Sequence, residues 1–118
     1  MKHNNDFRYD LEIGQKYETQ LAELIGQQIE VKRDFKALET GNIFIEYESR
    51  NRPSGLATTH ASYWCYWLSN YHCILIKTEK LKELCRKYLN TDRDVLGGDS
   101  NTSKGILLPT RKFIEICY

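Results

Sequence analysis

The 118-residue sequence has no continuous run of the roughly 18–20 apolar residues that a membrane-crossing helix needs. Its first ten residues, MKHNNDFRYD, are polar and lack the apolar centre of a secretion signal, so the expectation is an intracellular, cytoplasmic protein with no membrane partner. There is no excess charge of either sign: the formal net charge is +1, which leaves nucleic-acid binding to local patches rather than to overall attraction. None of the four cysteines, Cys65, Cys73, Cys85 and Cys117, forms a CxxC pair. Each sits in an apolar run, as a reduced core thiol does, and His60 and His72 are wrongly spaced for a common structural zinc site. The Gly-rich stretch GGDSNTSKG lacks the G-x-x-x-x-G-K-[ST] order of a phosphate-binding loop. No internal repeat and no composition break appears, so residues 1–118 read as a single domain.

What is there is periodic. Residues Tyr9 to Ile25 place Leu11, Tyr17, Leu21, Leu24 and Ile25 near one helical face, with Asp10 as the expected N-cap and Gly26 as the stop. Ile29 to Phe35 and Asn42 to Ser49 alternate with period two. The link KALETG, ending in a turn signal, predicts that these two strands form a hairpin. RNRPSGLATTH reads as a loop, and ASYWCYWLSNYHCILIKT as two further strands turning near Ser69-Asn70. Thr78 is the expected cap of a second helix, Glu79 to Leu89. NTDRDVLGGDSNTSKG reads as a polar loop and the last segment as a strand or short helix. The expected fold class is therefore α/β or α+β around one central mixed sheet flanked by helices, in the order α-β-β-β-(β)-α-β.

The predicted hairpin raises an electrostatic question. With its turn near Thr40, Lys32 faces Glu48 and Asp34 faces Glu46, at cross-strand Cβ separations of roughly 4.5–5.5 Å. The first pair is favourable. The second is a like-charge pair that a hard divalent cation would turn into a ligand set. The competing explanation is a solvated outer face with weak repulsion. Glu18, on the preceding helix, is the third candidate acid.

A helix carrying G-x-x-x-E (Gly14 to Glu18), a strand ending in Asp34 and a strand carrying E-x-E (Glu46, Glu48) resembles the PD-(D/E)XK nuclease superfamily, the restriction-endonuclease-like fold. The resemblance implies a Mg²⁺-dependent DNA endonuclease, with Mn²⁺ as a substitute ion, working as a homodimer or larger homo-oligomer. It implies Asp34 and Glu46 as metal-binding and catalytic acids, the Tyr47 carbonyl as a further metal ligand, and Glu18 as a supporting metal acid. Glu48 stands where the family carries lysine, and Lys32, on the predicted neighbouring strand, is the candidate replacement; Lys32 or Glu48 would orient or deprotonate the attacking water. Arg50, Arg52, Ser54 and Gly55 follow the acidic strand and are candidates for phosphate contacts, by guanidinium fork, hydroxyl and close backbone approach. Two alternatives compete: a catalytically inactive nucleic-acid-binding module on the same fold, and a protein-interaction or assembly subunit using the aromatic strand Tyr63–Trp67. Of its four aromatic residues, at least half are expected in the core.

Overall fold

The structure, a computed structural model, describes residues 3–115, with side chains described from residue 11 onward except that of Asp99; Cys117 lies outside the described residues. It is a mixed α+β fold with two sheets rather than the single central sheet expected from the sequence. No described helix is long and apolar enough to cross a membrane.

Helix α1 (His3–Ile25) begins well before Asp10, which lies inside it rather than at its cap, and ends before Gly26 as expected. The chain then enters β1 (Ile29–Arg33). A single helical turn, α2 (Ala37–Thr40), follows; Gly41 closes it in the left-handed region (φ 74°), where its N–H reaches the Ala37 carbonyl. Next come β2 (Asn42–Ser49) and the two-residue strand β3 (Arg52–Pro53). Arg50 and Asn51, both at positive φ, form the tight reversal between them, the backbone that a two-residue hairpin loop requires. Then follow β4 (Tyr63–Trp67), β5 (Cys73–Lys77), α3 (Thr78–Arg86), β6 (Asp94–Gly97), β7 (Ser103–Pro109) and α4 (Lys112–Glu115).

The expected β1–β2 hairpin does not form. β1 pairs in parallel with β4, and β4 pairs antiparallel with β5, giving a three-stranded sheet. β2 belongs to a second, four-stranded antiparallel sheet in the order β3-β2-β7-β6. The reason lies in the link itself: Ala37, Leu38 and Glu39 are helix formers, and a helical turn redirects the chain where a tight β-turn would have folded it back. The β4–β5 hairpin does form around Ser69-Asn70, with Leu68 N–H bonded to the His72 carbonyl at 3.1 Å. The polar, Gly-rich segment is largely structured, since β6 and the start of β7 are built from it. Glycine is required there because Phe44 lies against it: a Cβ on Gly97 would stand 2.8 Å from the Phe44 ring, and one on Gly105 2.6 Å.

The core lies between the two sheets and α3. Ile43, Ile45, Leu81, Leu108 and Ile106 are almost wholly enclosed, with Trp64 and Tyr66 beside them, so half of the aromatic strand is core as expected. Thr78 opens α3 without capping it; its hydroxyl instead donates to the Ala61 carbonyl at 2.6 Å, tying the helix start to the strand entry. Helix α1 contributes no described side chain to this core: Tyr17, Leu21 and Ile25 on its apolar stripe are all exposed.

Candidate active site

β1 and β4 run in parallel register, Glu30 beside Trp64 and Lys32 beside Tyr66. Glu30 and Lys32 therefore share a sheet face with the buried aromatics Trp64 and Tyr66, while Val31 on the other face is 57% exposed. Asp34 follows at the point where the chain leaves this sheet for the second one. Its backbone N–H continues the pairing to the Trp67 carbonyl at 3.1 Å. Its carboxylate bridges the two sheets: Oδ1 accepts from the Lys36 N–H at 2.9 Å, and Oδ2 accepts from the Phe44 N–H of β2 at 3.1 Å.

Glu46 arrives from the other side. On β2, Ile43 and Ile45 point into the core and Phe44 and Glu46 point away from it. The β2–β7 register slips between Glu46 and Glu48, so Tyr47 is the extra residue of a bulge, a device that re-aims the side chains around it. The Glu46 carboxylate accepts from the Ser54 hydroxyl at 2.9 Å, and the Ser54 N–H donates to the Tyr47 carbonyl at 3.0 Å. Gly55 seals this contact. It has φ 52°, and a Cβ there would lie 2.3 Å from the Glu46 carbonyl oxygen, so no other residue fits without moving the loop.

Asp34 and Glu46 thus line one cleft of about 450 Å³, together with Lys32, Arg33 and Lys36, the aromatic rings of Phe35, Phe44, Trp64 and Tyr66, and the lip glycines Gly55 and Gly98. Both carboxylates are felt inside it. The Tyr66 hydroxyl is pushed well above the usual phenol range, chiefly by burial, then by Cys85, and then by the negative charge of Asp34, Glu30 and Glu46. Trp64 carries a buried indole N–H with no partner among the described residues.

Not every candidate residue reaches this cleft. Lys32 does, but its ion pair is with Glu30 at 3.1 Å rather than with Glu48. Glu48 lies on the outer part of β2 and faces Lys104 at 3.9 Å, so the expected Lys32–Glu48 pair is replaced on both sides. Asp34 and Glu46 line one cleft from two different sheets and are not cross-strand neighbours of a hairpin. Glu18 lies on the exposed face of α1 and does not line the cleft. Among the described residues, no three His, Cys, Asp or Glu side chains converge as a metal cluster. Of the candidate phosphate contacts, Arg50 and Arg52 are exposed on the β2–β3 hairpin, whereas Ser54 and Gly55 hold Glu46. Sequence reasoning missed Phe35 and Lys36. Their signal was a ring and a cation directly after the candidate aspartate, at a place assigned to a strand end and a turn.

The other face of β2 lines a second cavity, of about 300 Å³, between Ile45, Tyr47, Leu56, Cys85 and Ile106, with Lys82 and Arg86 at its edge. The Tyr47 hydroxyl donates to Asp94 at 2.5 Å there. This cavity is largely apolar and holds no carboxylate pair, so the acids and cations suited to phosphate chemistry lie in the first cleft.

Two carboxylates suffice for a Mg²⁺ site, since this ion usually keeps several waters and takes one or two protein carboxylates plus substrate oxygens. Asp34 and Glu46 each retain lone pairs beyond the bonds described, whereas Tyr47, whose carbonyl was the expected further ligand, lines the second cavity and not this cleft. The two carboxylates are oxygen donors of the kind that a hard divalent cation takes. Compared with protein-family models, curated proteins and solved structures, the chain matches none.

Proposed function

We propose that the cleft between the two sheets hydrolyses phosphodiester bonds of DNA with a divalent cation, Mg²⁺ or Mn²⁺, in the manner of the PD-(D/E)XK nucleases that the sequence resembles. The observation that carries this reading is that Asp34 and Glu46, delivered by different sheets, line one cleft with Lys32 and Lys36. Asp34 and Glu46 would hold the ion, which supplies a water of lowered pKa and positive charge against the phosphate. Lys32 occupies the role that Glu48 leaves vacant: its ammonium can orient the attacking water and offset charge gathering on the phosphoryl oxygens. Lys36 and Arg33 at the rim hold the flanking backbone phosphates. Glu46 is kept in position by the Ser54 hydroxyl, and Asp34 by two backbone N–H groups.

The reading extends to a homodimer. Tyr17, Leu21 and Ile25 at helical spacing on α1, and Val31 and Leu75 on either side of the buried Cys65 on the outer sheet face, are exposed apolar groups of matching kind, a helix stripe and a sheet face. A second copy covers both by exchanging helices, and two-fold symmetry suits cutting of two strands.

Purified protein should nick supercoiled plasmid with Mg²⁺ or Mn²⁺, and Asp34→Asn and Glu46→Gln should each abolish nicking while leaving the far-ultraviolet circular dichroism unchanged. Asp34 already accepts two backbone N–H bonds, which favours a second reading as a binding module without catalysis. Binding to DNA with no nicking by either ion would select that reading.

A further inference from the structure

The cleft's most unusual feature is a ring at its mouth that the described residues leave largely open to solvent. Phe35 is 80% exposed, although it sits beside the core aromatics. Its placement is rigid. Asp34 N–H is held by the Trp67 carbonyl at 3.1 Å, and Lys36 N–H by the Asp34 carboxylate at 2.9 Å, so the backbone is pinned on both sides of the ring. The Arg33 guanidinium lies over the ring, 4.4 Å from its centre. That guanidinium is itself fixed, donating to the Asp34 carbonyl at 3.1 Å and the Trp67 carbonyl at 3.4 Å. One face of the ring thus carries a cation, and the rest is open to solvent.

We infer that Phe35, backed by Arg33, is a stacking platform for an unpaired nucleobase next to the phosphate held in the cleft. The inference deepens the nuclease reading and rests on the cleft being its nucleic-acid site. A solvent-exposed phenyl ring stacks on any base, because every base offers a π face, and a neighbouring cation adds to the attraction. Arg33 over the ring and Lys36 next to it in the chain supply positive charge that a nucleic-acid backbone requires, and Lys32, paired with Glu30, lines the same cleft. An apolar protein surface would instead meet the Arg33 and Lys36 cations there. Bases inside a duplex are already stacked on each other, so the platform selects strands with an unpaired base beside the cutting point: single strands, flaps or junctions.

The test is fluorescence anisotropy with a fluorescein-labelled 12-nucleotide single strand and the matching duplex, in EDTA at low salt so that binding is read without cutting. Phe35→Ala should weaken single-strand binding about tenfold and change duplex binding less than twofold. Phe35→Trp should retain it, and Phe35→Leu should lose it as alanine does. Because the ring is exposed, all three variants should keep the wild-type melting temperature. Wild-type protein that binds no single strand, unchanged single-strand affinity in Phe35→Ala, or an equal loss on both ligands would overturn the inference. So would a shift from dimer to monomer in sedimentation with single-strand affinity intact, which would make the ring a contact between copies. The two readings fail separately. Wild-type protein that never cuts, combined with selective loss in Phe35→Ala, removes the hydrolytic reading and keeps the platform; cutting with unaltered affinity does the reverse.

Discussion

Gly55 offers a quantitative check on how Glu46 is held. Alanine there meets two costs. The first is conformational: at φ 52° an L side chain costs about 1–2 kcal/mol. The second is contact: the new Cβ would stand 2.3 Å from the Glu46 carbonyl oxygen and 3.0 Å from its carbon, both backbone atoms that cannot swing away. The loop must lift from β2, and the bonds from Ser54 to the Tyr47 carbonyl and the Glu46 carboxylate are lost or stretched, at about 1 kcal/mol each. The sum is about 3 kcal/mol, or a fall in Tm of about 12 °C for a domain of this size. Gly41 is the matched control: its φ is 74°, but an added Cβ meets nothing within 4 Å. Gly41→Ala should cost only the conformational part, about 1 kcal/mol, and about 4 °C. Scanning calorimetry of the two variants isolates the close approach as the difference between them. Equal losses would refute the packing of Gly55 on Glu46 and, with it, the account of how that carboxylate is aimed.

Further outcomes follow from the same structure. Asp34→Ala should destabilise by about 2 kcal/mol in urea unfolding, because the Phe44 and Lys36 N–H groups lose their acceptor; Asp34→Asn, which keeps one acceptor oxygen, should cost less. Stability should fall in alkali. Tyr47 is pushed up to about 12, by burial first and then by the bond to Asp94 and its charge, and Cys85 to about 12 by burial. Cys65 is pushed up to about 11, by burial first and then by Cys73. Each stays protonated in the fold while the unfolded chain ionises, so unfolding free energy should be level below the ordinary thiol value of 9.0 and decline from there through about pH 12, as urea midpoints at pH 8 and 11 would report. Cys73, exposed on β5, should react with a thiol reagent at pH 8, whereas Cys65 and Cys85 should wait for unfolding. Leu21→Glu on the exposed stripe of α1 should convert a dimer to monomer in sedimentation equilibrium without lowering the melting temperature of the monomer.

How much of this was legible beforehand depended on the range of the contact. The alternation of Ile43, Ile45 and Tyr47 was enough to define β2, and the aromatic run with its Ser69-Asn70 turn was enough to define β4 and β5. The partner of β1 was not legible. Proximity in sequence favoured β2, but a helical turn at Ala37–Thr40 sends the chain to another sheet, and the true partner enters only at Tyr63. β6 and the start of β7 were hidden because their glycines read as loop, whereas Gly97 and Gly105 admit the Phe44 ring; the rest of β7 fell in the last segment, expected as a strand or short helix. Asp34 and Glu46 were singled out for a hairpin that does not form, and they share a cleft by a different route, through the bond from the Phe44 N–H. Phe35 and Lys36 escaped notice since only tertiary pairing of Asp34 turns them toward the cleft rather than into a strand.

The measurement closest to the central claim is Mn²⁺ binding, followed by electron paramagnetic resonance of the free ion against protein concentration. Wild-type protein should take up Mn²⁺ at the cleft, Mg²⁺ should compete for it, and Asp34→Asn/Glu46→Gln should lose at least ten-fold in affinity while remaining folded. Wild-type protein that takes up no ion, or a double variant that binds it as tightly as wild type, would contradict the account.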